Sequence, residues 1–141
     1  MRVFTVAVAV GDWRDRNANS IGEHSNVTVI AAAPDTQITY TVPVGRAAVI
    51  DNVMIRLEPL ATMAQGAFVQ GLIDFTASGG AAFTLENLAL GFQQGPATFF
   101  IKPIASIQMF AGDRMRLRRL GGGSPPNTIF NMGFHGVEYD E

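Results

Sequence analysis

The sequence predicts an all-β domain, a sandwich or barrel of antiparallel strands, and three observations carry that reading. Short segments of alternating apolar and polar residues recur along the chain, turn residues punctuate them at intervals, and no long stretch holds helical spacing. At 141 residues without cysteine the chain has the length of one domain, so its stability must come from an apolar core and not from disulfides or thiolate-bound metal. Charged residues make up 16% of the chain, against about 25% in ordinary globular domains, so part of the surface is expected to lie against other proteins. A net charge of −2 gives no electrostatic footprint for nucleic acid, and no run approaches the ~18 apolar residues of a membrane span.

Residues 1–35 read as an N-terminal strand followed by a polar arm. Val3, Val6, Val8 and Val10 alternate with small or polar residues and run into Gly-Asp-Trp-Arg-Asp-Arg without a small-residue cleavage site, so a strand is expected in place of a signal peptide. From Gly11 to Ser25 periodicity is absent, which predicts a loop or arm. Trp13, the only tryptophan, together with Arg14 and Arg16 forms the candidate subunit interface, because Trp and Arg concentrate at interface centres. The competing account has Trp13 folding back to cap its own core. Asn26 to Ala33 then reads as a strand ended by Pro34-Asp35.

The sandwich is assigned to residues 36–141, and its clearest element runs from Ile38 to Leu57. Ile38, Tyr40 and Val42 alternate with Thr39 and Thr41, the period of two that buries one face of a strand. Pro43 stops that ladder and Gly45 tolerates positive φ, so a turn is predicted with Pro43 and Val44 at its centre. Beyond it, Val49, Ile50, Val53, Met54, Ile55 and Leu57 are continuous enough for a strand covered on both faces. The flanking strands either pair as a hairpin or lie in opposite sheets, in which case Pro43 to Arg46 is a corner. Pro59 to Ala64 admits a short helical turn, and Ala67 to Thr76 reads as a strand with Gly66 and Gly71 marking a bulge or a close backbone approach. Strands follow at Phe83 to Phe92, Thr98 to Lys102 and Ala105 to Phe110, and a turn at Gly112 and Asp113 leads into Arg114 to Leu120. Alternation there puts Arg114, Arg116 and Arg118 on one face and Met115, Leu117 and Arg119 on the other. That arginine face reads as a solvated sheet face that resists edge pairing, or as a contact for nucleic acid, an acidic partner or a carboxylate-bearing glycan. Gly121 to Asn127 is expected as a loop at one end of the sandwich, and Thr128 to Tyr139 as the last strand.

The chain offers no catalytic set. His24 and His135 stand apart in the sequence without a third ligand at metal spacing, and Asp12, Asp15 and Glu23 have Arg14 and Arg16 beside them as ion-pair partners. Gly121 to Gly123 runs into Pro-Pro instead of a phosphate-cradling helix. No enzymatic activity, cofactor or metal is therefore expected.

Three segments, Tyr40 to Ile50, Phe110 to Leu117 and Phe134 to Tyr139, together resemble small jelly-roll proteins of tailed-bacteriophage virions, and in size and layout the capsid decoration, or cement, proteins among them. The resemblance leaves residues 1–35 uncovered. It implies a single-domain antiparallel β-sandwich of jelly-roll type with an N-terminal arm, assembled as a homo-oligomer, commonly a trimer. It further implies the major capsid protein as partner and the capsid surface of the virion as location, with no role for nucleic acid or membrane. The alternative is a tail or fibre module that binds carbohydrate or a host receptor, with Trp13 and Tyr40 as its stacking residues.

Overall fold

The computed structural model describes residues 17–29, 35–91, 98–101 and 106–141, so the expected strand Val3 to Val10 and the candidate interface Trp13, Arg14 and Arg16 lie outside the described residues. Every regular element among those described is a strand: β1 (Asn19–Val29), β2 (Asp35–Thr41), β3 (Arg46–Pro59), β4 (Phe68–Thr76), β5 (Ala82–Leu90), β6 (Phe99–Ile101), β7 (Ile107–Phe110), β8 (Arg114–Gly122) and β9 (Thr128–Asp140). They form two antiparallel sheets, as the alternation requires. The first runs β1-β9-β3, with β6 and β7 both paired along β3, and the second runs β2-β8-β4-β5. The two sheets enclose one core in which Ile38, Ile55, Leu57, Ile73, Leu117 and Phe130 are buried. The chain is therefore an all-β sandwich.

Strands β2 and β3 lie in opposite sheets, so Pro43 to Arg46 is a corner and not a hairpin. The continuous apolar run of β3 has a different cause from the expected double coverage. Its pairing with β9 slips between Ile50 and Asn52, leaving Asp51 as an extra, exposed residue. A bulge shifts the phase of alternation by one. Ala48 and Ile50 before it, and Val53, Ile55 and Leu57 after it, all face the core, while Val49 and Met54 are half-buried on the outside.

Two further expectations are corrected. The polar segment assigned to a loop as far as Ser25 is strand from Asn19 onward, paired with β9 in unbroken register from Asn19↔Glu138 to Val29↔Thr128. Among the residues of β1 whose side chains are described, the outward positions are polar or glycine and Ile21 packs against the core; β1 is held by its ladder with β9. The segment after Pro59 makes no helical turn: Met63 is drawn fully into the core, and Ala67 N donates to Ala64 O at 2.9 Å around Gly66, whose φ is 83°.

Gly71 is a close approach of a side chain from the facing sheet. A Cβ there would stand 2.3 Å from Ile55 Cγ2, and Ile55 is fully buried. Gly71→Ala is therefore expected to lower stability by about 1–3 kcal/mol in urea unfolding, the usual effect of overpacking. Gly91→Ala, where no atom lies within 4 Å of the added carbon, serves as the near-neutral control.

Candidate functional site

The corner between β2 and β3 is held by a dense set of hydrogen bonds. Arg46 N donates to Pro43 O at 3.2 Å, which puts Val44 and Gly45 at the centre of the turn, one residue later than expected. The reason is Gly45, whose φ of 75° must occupy the third position of such a turn. A second turn, closed by Asp113 N donating to Phe110 O at 2.9 Å, has Gly112 with φ 83° in the equivalent place. The two turns clasp each other: Val42 N donates to Asp113 O at 3.0 Å and Gly112 N to Val42 O at 2.9 Å. Asp113, 1% exposed, accepts Ser78 N on Oδ1 and Phe110 N on Oδ2, both at 2.8 Å. One carboxylate thus ties the β7–β8 turn to the end of β4. Val44 projects from the tip with 95% of its surface exposed.

The three segments that carry the sequence resemblance meet at this corner. Glu138 of β9 accepts Tyr40 Oη at 2.8 Å and Arg46 Nε at 3.0 Å. Arg46 also pairs with Asp140 and donates to the backbone oxygens of Asn17 at 3.1 Å and Glu138 at 3.3 Å. The Tyr40 ring is half-buried against Phe134, centroids 5.3 Å apart, so it serves as a strut of the corner and offers no open platform for a sugar. Burial first, and then the Glu138 carboxylate, hold the Tyr40 phenol well above its ordinary pKa of 10.0. An unfolded chain releases this proton near pH 10 while the folded chain keeps it, so stability falls as pH rises above about 10. Chemical denaturation between pH 9 and 11 should show that fall, and Tyr40→Phe should flatten it.

The arginine face of β8 is not a simple solvated surface. Asp74 of β4, 3% exposed, lies opposite Arg116 in the register and receives Arg118 Nε and, at 3.5 Å, Arg116 Nη2 on Oδ2. Thr84 Oγ1 of β5 donates to Oδ1 at 3.0 Å. The side chains of Arg116 and Arg118 are accordingly only 28% and 26% exposed. Arg114 makes no ion pair among the described residues, and the Nε atoms of Arg114 and Arg116 are buried without acceptors. Arg119 points the other way, its guanidinium 5.9 Å from the centre of the Phe130 ring. Asp74 was invisible to sequence reasoning: it sits among Leu72, Ile73 and Phe75, and its partners lie on a strand far along the chain.

The two histidines come together on the outer face of the first sheet. His135 lies opposite Gly22 and His24 opposite Gly133, so each imidazole has a glycine across the ladder. The missing side chains leave an open groove of about 380 Å³ bordered by both histidines, Asn52 and Met54. His135 Nδ1 is 3.0 Å from Asp51 Oδ1 in an exposed pair. Among the described residues no cluster of three His, Cys, Asp or Glu side chains is placed to hold a metal ion.

No family model matches the chain, and no curated protein matches it. Its likeness is to solved structures. A chain in the structure of infectious bursal disease virus Gx strain aligns over 99% of this chain with a TM-score of 0.50 and 10% identity, which shows a shared fold. This chain spans 38% of that viral chain. A chain of the Gt strain of the same virus aligns over 97% of this chain and 38% of its own length, at TM-score 0.41 and 10% identity. A chain from Bacillus endospore appendages, described as a novel family of disulfide-linked pili, aligns over 95% of this chain and 97% of its own, at TM-score 0.40 and 11% identity.

Proposed function

We propose that the chain is a non-enzymatic structural protein of a virion, a jelly-roll sandwich that decorates the capsid of a tailed bacteriophage and stabilises it by bridging neighbouring subunits. The observation that carries the reading is the strand order. One sheet reads β1-β9-β3 with β7 beyond, the other β2-β8-β4-β5, and the chain crosses between them after β1, β2, β3, β5, β7 and β8. This order is compatible with the two Greek keys of a double-sheet jelly roll and supports the proposal of one. The fold shared with the viral chain, and the corner where the three resembling segments meet, support the same reading.

The mechanism is additive. A homotrimer on a repeating lattice makes several modest contacts with the major capsid protein at once, and linked contacts exceed any single one in avidity by orders of magnitude. Trp13, Arg14 and Arg16 are the residues proposed to reach a neighbour, since an aromatic anchor beside arginines is the usual composition of an interface centre. Electron microscopy of the intact particle tests this, with density for the chain expected on the capsid surface. Its presence in the tail, or its absence from the virion, overturns the reading. The carbohydrate-binding alternative is weakened by the engagement of Tyr40 with Phe134 and Glu138.

A further inference from the structure

We infer that the outer face of the second sheet is a recognition site for carboxylate side chains of a neighbouring protein, with Arg114 and Arg116 as the cations that bind them. This deepens the proposed virion role by naming the chemistry of the neighbour, and it rests on that role. Alternation along β8 presents Arg114, Arg116 and Arg118 outward on successive rungs, with Thr41 and Thr76 beside Arg114, and Thr39 and Asp74 beside Arg116. Among the described residues Asp74 supplies one carboxylate against three guanidinium groups, so the described face keeps a surplus of positive charge in a chain whose net charge is −2. Arg114 makes no ion pair among the described residues, and the Nε atoms of Arg114 and Arg116 have no acceptor there, so these guanidinium groups keep donor capacity for an incoming carboxylate. A shallow depression of about 130 Å³, walled by Asp74, Arg116, Arg118, Thr84 and Phe83, opens beside them.

The features of the face distinguish among anions. A guanidinium fork matches a planar carboxylate with two parallel hydrogen bonds. A continuous polyphosphate would run over Asp74 and be repelled there, whereas separate carboxylates bind at either side of it. The rim favours a protein as the bearer of those carboxylates, because Phe83 of β5, 46% exposed, lines the depression next to the cations. Exposed aromatic and arginine side chains in one patch are the composition of a protein contact.

Titration of the full chain with acetylated hexaglutamate, followed by NMR of the arginine Nε–Hε groups, tests the inference. The peptide is expected to shift the Arg114 and Arg116 signals ahead of those of other arginines, and Arg114→Gln or Arg116→Gln should weaken binding by about tenfold each. The wild-type signals report on the site even where a variant folds poorly. Absence of shifts at these two residues, affinity unchanged in folded Arg114→Gln, or tighter binding of duplex DNA than of the peptide would each overturn it. Since the measurement is made on the isolated protein, its failure leaves the virion role standing, and a particle image without the chain leaves the site standing.

Discussion

Asp113→Ala is expected to lower the unfolding free energy by about 3–5 kcal/mol, because it strands two backbone donors that the buried carboxylate now satisfies. Ser78 N and Phe110 N cannot both turn to water, since the turn that carries Phe110 is held by its own bond to Asp113 N and by the clasp on Val42. Asp113→Asn keeps one acceptor oxygen but aims an NH2 group at the other donor, so it should lose nearly as much. Urea unfolding of the three proteins measures the difference. A loss below ~1 kcal/mol for Asp113→Ala would mean that the two turns are held by their backbone bonds alone. The exposed turn residue Val44 should by contrast accept polar substitution without cost to stability.

Asp74→Ala should cost about 2–4 kcal/mol, slightly less than the removal of a fully buried partner, since Arg116 and Arg118 retain about a quarter of their side-chain exposure and can turn partly to water. The pair need not be stabilising to have this effect. Taking charges from water is expensive, so an apolar set of similar volume often does as well as an ion pair. The triple variant Asp74→Leu, Arg116→Met, Arg118→Met is accordingly expected to recover most of the loss in thermal unfolding. If Asp74→Ala alone matches the wild type, the carboxylate is not what holds the arginines down on the sheet.

Much of the sandwich was legible in the residues. Strand β8 from Arg114 to Arg118, and β2 from Ile38 onward, alternate because each has one face on the core and one face outside. Gly45 and Gly112 marked turns because only glycine takes their positive φ without strain, although the position of Pro43 within its turn was read one residue late. β3 was misread because a bulge leaves no trace in composition: Asp51 is one polar residue in an apolar run, and only its slipped pairing with β9 shows that it shifts the phase. β1 was half missed because its first half, Asn19 to Ser25, holds Ile21 as its single apolar residue, too few for a period to read. The site followed the same division. Arg114, Arg116 and Arg118 fell on one face by counting, but Asp74 joins them only through β4–β8 pairing, and the clasp on Asp113 only through the meeting of two sheets.

The order in which the sheets fill has a consequence for how the protein comes into being. β9 is an inner strand of the first sheet, beside β3, and β8 an inner strand of the second, beside β4; they are the last two strands among the described residues. Their neighbours β1, β3, β2 and β4 all leave the ribosome earlier and wait with unpaired edges for a strand still in the exit tunnel. β3 can pair with β6 and β7, and β4 with β5, before β8 and β9 arrive, but neither sheet is complete until they do, so final closure is late, on the scale of about milliseconds to seconds for such long-range pairing. During that interval the open lanes accept any extended chain nearby, and mispairing between nascent copies would be most frequent at that moment wherever the protein is made at high concentration.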